Sequence, residues 1–170
     1  MIPVIETDRL RLRAPREADF GAHAACGASG RSRIVGGPYS RSASFLRFCA
    51  LPGHWSIRGY GRSMIADRAT DAPPGVVGPF FPEDWPEPEL ASTVFAEAEG
   101  RGVAFEAAQA ARPFACDALG WTTAVSCVAP DNARSIALAR RMGCVEDGRF
   151  VHPDGFELIV YRHPAPEALR

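Results

Sequence analysis

Arginine and leucine alternate from Arg9 to Ala14, which sets Leu10 and Leu12 on one face of a strand and Arg9, Arg11 and Arg13 on the other. The arginine stripe reads as a solvated face. Pro15 to Ala28 reads as a helix, with Pro15 at its start and Glu17 and Asp19 early, where negative charge suits the helix dipole. Gly27, Gly30, Gly36, Gly37 and Pro38 break the chain into a loop, and Ser42 to Leu51 forms a second helix stopped by Pro52-Gly53. Arg62–Asp67 and Gly75–Phe81 are strands around the polar turn Arg68–Asp71, with Pro79 favouring an edge or a bulge. A proline-rich loop over Phe81–Pro88 leads to a short strand at Leu90–Phe95. From Val103 the apolar positions recur at helical spacing through Ala107, Ala110, Ala111 and Phe114. Pro113 predicts a bend near Gln109–Pro113, and Gly120 closes the helix. Thr122–Val128 is β-rich, and a helix opens at Pro130-Asp131-Asn132 and ends at Gly143. The strands Val145–Val151 and Phe156–Tyr161 flank the hairpin signal Pro153-Asp154-Gly155. The resulting order, β, α, α, β, β, β, α, β, α, β, β, describes a mixed α+β domain. Its sheet is mainly antiparallel, with one crossover helix able to set two strands parallel.

A length of 170 residues fits one domain spanning 1–170. With 46% hydrophobic and 23% charged residues and a formal net charge of −1, the composition supplies no basic field for nucleic acid and no polybasic segment for a membrane surface. Five cysteines, an odd number at wide spacing with no CxxC pair, point to a reducing cytoplasm and not to a disulfide framework. The opening MIPVIETDRLRLR is too short in its apolar run for a signal peptide, and no stretch is long enough for a membrane span. His23, His54, His152 and His163 are scattered without ligand spacing, so no metal is expected.

The candidate chemistry begins at Glu89, where a strand runs through a turn into Gly100-Arg101-Gly102-Val103-Ala104 and a helix. Closely spaced glycines let backbone approach a ligand, and the unpaired N–H groups of a helix start suit a phosphate or pyrophosphate. A tight turn into a helix would need the same residues. Neither GxxxxGK[ST] nor GxGxxG is present, since Phe105 stands where the third glycine would be. The second element, Asn132-Ala133-Arg134-Ser135, sits at the next strand-to-helix junction, where plain helix capping by Asp131 or Asn132 is the simplest role.

Taken in order, these pieces resemble the GNAT superfamily of N-acetyltransferases, and within it the Rim-type branch that includes the ribosomal-protein N-terminal acetyltransferases. Thr7-Asp8-Arg9-Leu10-Arg11-Leu12-Arg13 is similar to that branch's opening strand. Gly100 to Ala104 resembles the pyrophosphate loop, Asn132 to Ser135 the N-x-x-S of the following helix, and Met142-Gly143-Cys144 with Glu146-Asp147-Gly148 the L-G-F-x-x-x-G that closes the pattern. The resemblance implies a GNAT-like, mostly antiparallel sheet of six to seven strands flanked by about four helices. It implies acetyl-CoA as co-substrate in a V-shaped opening between the strand ending near Phe95 and the one beginning near Thr122. Backbone of Phe95, Ala96 and Glu97 would pair with the pantetheine arm. Gly100, Arg101, Gly102, Val103 and Ala104 would cradle the pyrophosphate, Asn132 would hold the pantetheine side, and Ser135 would lie near the sulfur.

The implied reaction is transfer of an acetyl group to a primary amine: a protein N-terminus, a small amine or an antibiotic. Glu89 is the candidate base, acting directly or through water, and Ser135 the candidate acid, with a backbone N–H near Phe95 for the oxyanion and Tyr60 and Tyr39 in reserve. A homodimer is a family-level expectation. A second reading, from a different class, is a catalytically impaired GNAT-fold module that binds CoA or a partner chain without transfer. Glu97 in a place usually held by Gln or Arg, and Ala91-Ser92 for a Gly-aromatic pair, favour it; Gly100, Gly102, Asn132 and Ser135 disfavour it. A structural α+β domain without a CoA site is the third. Binding of CoA separates this last from the other two.

Overall fold

The computed structural model describes residues 1–169. Its strands are β1 (Ile5–Glu6), β2 (Leu10–Arg13), β3 (Ser63–Asp67), β4 (Gly75–Phe80), β5 (Glu89–Val94), β6 (Val125–Val128), β7 (Val145–Val151) and β8 (Glu157–Arg162). Its α-helices are α1 (Phe20–Ala28), α2 (Arg41–Arg58), α3 (Val103–Pro113) and α4 (Ala133–Arg141). The strands form one sheet in the order β1-β2-β3-β4-β5-β6-β8-β7, antiparallel at every pairing except β5 with β6. This is the expected GNAT-like α+β architecture, and the two-residue β1 on the edge brings the strand count to eight.

Both faces of the central strands are covered, because neighbouring residues point opposite ways and both kinds are apolar. Leu12, Ile65, Val77 and Leu90 pack against Val103, Ala107 and Ala111 of α3. Met64 and Val76 pack on the other face against Phe48 and Leu51 of α2, with Phe20 of α1. Pro79 lies inside β4, a strand with neighbours on both sides. The β3–β4 ladder runs only from Ile65–Gly75 to Ser63–Val77, so the proline stands where β4 overhangs β3 and owes that side no hydrogen bond.

Two local expectations need correction. The second helix does not stop at Pro52-Gly53: α2 runs through Pro52 to Arg58, where Gly59 caps it in the left-handed region (φ 77°). Phe48 and Leu51 are buried before the proline, and after it the Trp55 indole donates to the Arg62 carbonyl at 3.1 Å. Anchorage on both sides offsets the one helical bond that proline removes. The arginine stripe is not uniformly solvated either. Arg13 is 3% exposed and grips Asp19 with both ends of its fork, at 2.7 and 2.9 Å, because the turn into α1 folds back over that end of β2. At the predicted bend, α3 passes through Pro113 into a π-helical turn over Phe114–Ala118.

Candidate active site

β5 and β6 meet at one register position, Glu89 opposite Val125. The Val125 N–H donates to the Pro88 carbonyl at 3.3 Å, and there the backbone ladder ends. Side chains take the next places. The Ser126 hydroxyl donates to the Leu90 carbonyl at 2.8 Å, and the Cys127 N–H donates to Glu89 Oε2 at 2.9 Å. The opening between the two strands therefore starts at a carboxylate.

Glu89 is 5% exposed, and burial pushes its pKa up to about 7, with the Cys127 N–H, the charge of Arg62 and the Trp85 indole pulling the other way. It shares a sheet face with Phe80, its partner across the β4–β5 ladder. The Arg62 guanidinium lies 4.3 Å over the Phe80 ring. On the same side His23 of α1 sits between the rings of Phe48 and Phe95, at 5.3 and 6.3 Å. Burial, with Arg62 and Arg47 nearby, lowers the His23 pKa to about 4, so the imidazole is neutral at physiological pH. On the far side of β6, His163 Nε2 lies 3.0 Å from Ser126 Oγ, and burial lowers its pKa to about 4 as well.

The glycine segment is at the other end of β5. Gly100 and Gly102 both have positive φ, 70° and 76°, and a side chain at Gly100 would meet nothing within 4 Å. The first backbone bond of α3 runs from the Glu106 N–H to the Gly102 carbonyl at 3.1 Å. The N–H groups of Val103, Ala104 and Phe105 precede it and have no partner in the helix. Sequence reasoning missed what holds this loop. Glu106 accepts from the Thr7 hydroxyl at 2.5 Å and from Arg9 Nε at 2.7 Å, while Arg9 Nη1 donates to the Arg101 carbonyl at 3.1 Å. The opening Thr-x-Arg thus acts as a brace for the glycine loop.

Other sequence-predicted positions fall out differently. Phe95 is buried, and its N–H donates to the Pro74 carbonyl at 2.8 Å, so that group is not available to an oxyanion. Ala96–Ala98 is a 3-10 turn, not a continuation of the strand edge. Glu97 is exposed. The acid that engages neighbours is Glu99, which bonds Arg134 of α4 at 2.8 Å and also Arg31 from the segment between α1 and α2. Asn132 caps α4, its side-chain oxygen accepting from the Ser135 N–H at 3.2 Å. Among the described residues no hydrogen bond joins Glu89 to Ser135; they stand on different elements around the opening. Tyr60 packs edge-on against Trp121 and Tyr39 lies under Arg47, both as packing residues. No group of three or more His, Cys, Asp or Glu among the described residues comes together to hold a metal.

An opening lined at one end by a glycine loop and free helix N–H groups fits an anionic ligand with a phosphate portion. The buried carboxylate at the other end, with a pKa near neutrality, fits proton transfer. Glu99 tests the first half. A pyrophosphate approaching the loop meets repulsion from Glu99 and attraction from the two arginines it occupies. Glu99→Gln should tighten binding of a pyrophosphate ligand, such as the acetyl-CoA that the sequence resemblance implies, by roughly threefold to tenfold, more at low ionic strength. Calorimetric titration at two salt concentrations checks this, and weaker binding in the variant would show that Glu99 organises the site instead of opposing the ligand.

The sequence profile of the acetyltransferase (GNAT) domain matches residues 9–145. Among solved structures, an acetyltransferase from Agrobacterium tumefaciens str. C58 is 38% identical and superposes with a TM-score of 0.87, over 96% of this chain and 95% of that one. Ribosomal-protein-S5-alanine acetyltransferase from Vibrio fischeri is 14% identical, with a TM-score of 0.71 over 97% and 98% of the two chains. The ribosomal L7/L12 α-N-protein acetyltransferase RimL, solved in complex with coenzyme A, is 17% identical, with a TM-score of 0.75 over 96% and 98%. At such identities the last two speak to the fold alone. No curated protein matched the sequence. No helix among the described residues is long and apolar enough to cross a membrane.

Proposed function

The chain belongs to the GNAT acetyltransferase family, and from that premise we propose that it is an N-acetyltransferase of the Rim-type branch, moving the acetyl group of acetyl-CoA to a primary amine. The observation that carries this reading is Glu89, a buried carboxylate with a pKa near 7 at the point where β5 and β6 part. Acetyl-CoA would supply an activated acetyl thioester. The N–H groups of Val103 to Phe105 would bind its pyrophosphate, and Gly100 and Gly102 would let the backbone come close. The N–H groups of Ala96 and Glu97, together with Asn132, would orient the pantetheine.

An amine is a nucleophile only when neutral. Glu89, whose pKa burial raises to about 7, would take the proton from the incoming ammonium in its ionised form, directly or through one water. Ser135 Oγ, on the first turn of α4, would hold the proton that the leaving sulfur needs. Two of the similar structures are named for acetylating ribosomal proteins. Protein N-termini are therefore one acceptor class to screen, and small amines the other.

A thermal melt with acetyl-CoA tests the first step. At roughly a hundredfold excess over Kd, binding adds about 2.7 kcal/mol, a rise of roughly 5–10 °C for a domain of this size. Thiol release with an amine panel tests the second. A melt that does not move at millimolar ligand removes the cofactor assignment. A melt that moves without thiol release for any amine leaves a binding module.

A further inference from the structure

Among the described residues, ten arginines hold a carboxylate. Arg62, half-buried under the aromatic face beside Glu89, holds none among the described residues, and its Nε is out of the reach of solvent and unpartnered. Leaving a guanidinium unpaired as it loses water is costly unless something answers it. Glu89 answers it only in part: its charge favours the protonated guanidinium, but its hydrogen bond goes to the Cys127 N–H and no ion pair with Arg62 forms among the described residues. The other charge that acts on Arg62 is Arg47, also without a carboxylate and resting 3.9 Å from the Tyr39 ring. The balance at this spot is positive.

One more nitrogen on the same side lacks a partner: His23 Nδ1, on α1, is buried and unbonded. The Trp85 indole, in the loop before β5, favours the ionised form of Glu89. Trp85 stands 6.4 Å from Phe80, on whose ring Arg62 lies. Buried polar nitrogens are satisfied in native proteins with few exceptions, and an unanswered guanidinium in a spot of net positive charge calls for an anion that arrives with a ligand. Arg62 offers its two terminal nitrogens in one plane, which matches the two oxygens of a carboxylate.

We propose that the amine acceptor carries a carboxylate, which Arg62 binds while Glu89 faces the amine. The inference rests on the transferase reading and narrows it: polyamines and neutral amines are excluded as good acceptors. The chemistry has two sources, a free amino acid or a peptide whose first residue is acidic. A carboxylate on Arg62 also removes part of the positive field that favours the ionised form of Glu89, which strengthens the base as the acceptor binds.

The test uses matched pairs. Thiol release is followed with β-alanine against β-alaninamide for the free source, and with Asp-Ala-amide against Asn-Ala-amide for the peptide source. Independently of turnover, calorimetry compares N-acetyl-β-alanine with N-acetyl-β-alaninamide, and N-acetyl-Asp-Ala-amide with its Asn counterpart, as non-reacting probes. In at least one pair the acid should win by about tenfold or more in kcat/KM or Kd. Arg62→Met, which keeps an apolar stem over Phe80, should erase that preference, and Arg62→Lys should retain part of it; melts of both variants verify folding. Equal values for acid and amide in every pair, no binding of any probe at about 10 mM, or a preference that survives Arg62→Met overturns the proposal. If no amine is acetylated although acetyl-CoA raises the melt, the transfer reading fails while the probe titrations still decide the carboxylate site.

Discussion

Glu89→Gln should lower kcat/KM for amine acetylation by about 100- to 1,000-fold, the usual contribution of a positioned base, and the same change should make the protein harder to melt. The glutamine keeps an oxygen for the Cys127 N–H, so the seam between β5 and β6 stays bonded. What it loses is the ability to take a proton. In the parent protein log kcat/KM should fall by about one per pH unit below pH 7 and level off above it, because only the ionised carboxylate acts as a base. The stability effect has the opposite sign. Folding raises the carboxyl pKa from 4.5 to about 7, so between those values the folded chain holds a proton that the unfolded chain has released. Stability is greatest below pH 4.5 and is lost as pH rises through about 7, a difference of at most about 3 kcal/mol. The glutamine variant carries no such penalty, so at about pH 8 its Tm should exceed the parent's by roughly 5 °C, with the gap closing below about pH 5. Equal activity with raised stability would move the base elsewhere. Lost activity with lowered stability would mark Glu89 as a structural seam.

Gly102→Glu should weaken acetyl-CoA binding by on the order of 100-fold, since a fixed negative charge beside a pyrophosphate costs several kcal/mol. Gly102 is the N-cap of α3 at φ 76°, a conformation that carries a penalty of about 1–2 kcal/mol for other residues. Gly102→Ala has that backbone penalty without the charge or the bulk. Its Cβ would fall about where the nearest atom, Arg9 Nη2, stands 3.5 Å away, an ordinary contact. The alanine variant should therefore melt a few degrees lower than the parent and bind acetyl-CoA within about fivefold of it. If both variants bind as the parent does, the glycine loop is a turn and not a phosphate cradle. If both lose binding alike, backbone strain and not charge is responsible.

The fold was legible because local and long-range preferences agree along most of the chain. Leucines two apart in β2, small residues at helical spacing in α3 and a Pro-Asp-Gly turn between β7 and β8 leave little choice of element. The errors came where tertiary contacts overrule local chemistry. Pro52 should end a helix, and it fails to because Leu51 and Trp55 are pinned on either side of it. Arg13 belongs to a polar stripe, and only the turn at Asp19 reveals that its end of the strand is covered. The candidate site was legible in part for the same reason. Glycines before a helix and an asparagine cap are local signals, and Glu89 could be singled out from its place at the start of a strand. Arg62, His23 and Trp85 come from different elements and share no spacing, so nothing short of the folded chain brings them to one face. Glu97 was marked as the acid beside the loop, whereas Glu99, two positions on, is the one whose side chain reaches Arg134.

The brace between the first strand and the glycine loop joins residues 97 positions apart, Arg9 and Glu106. Closing so long a segment loses chain entropy that no nearby contact returns along the way, so such contacts form late. During synthesis Arg9 leaves the ribosome long before Glu106 exists, and β2 must wait with one arginine unanswered. The glycine loop proposed to cradle the pyrophosphate is accordingly among the last parts of the nascent chain to take shape. A ribosome-stalled fragment ending before residue 106 would hold the sequence of β2 through β5 and still lack the carboxylate that steadies the loop.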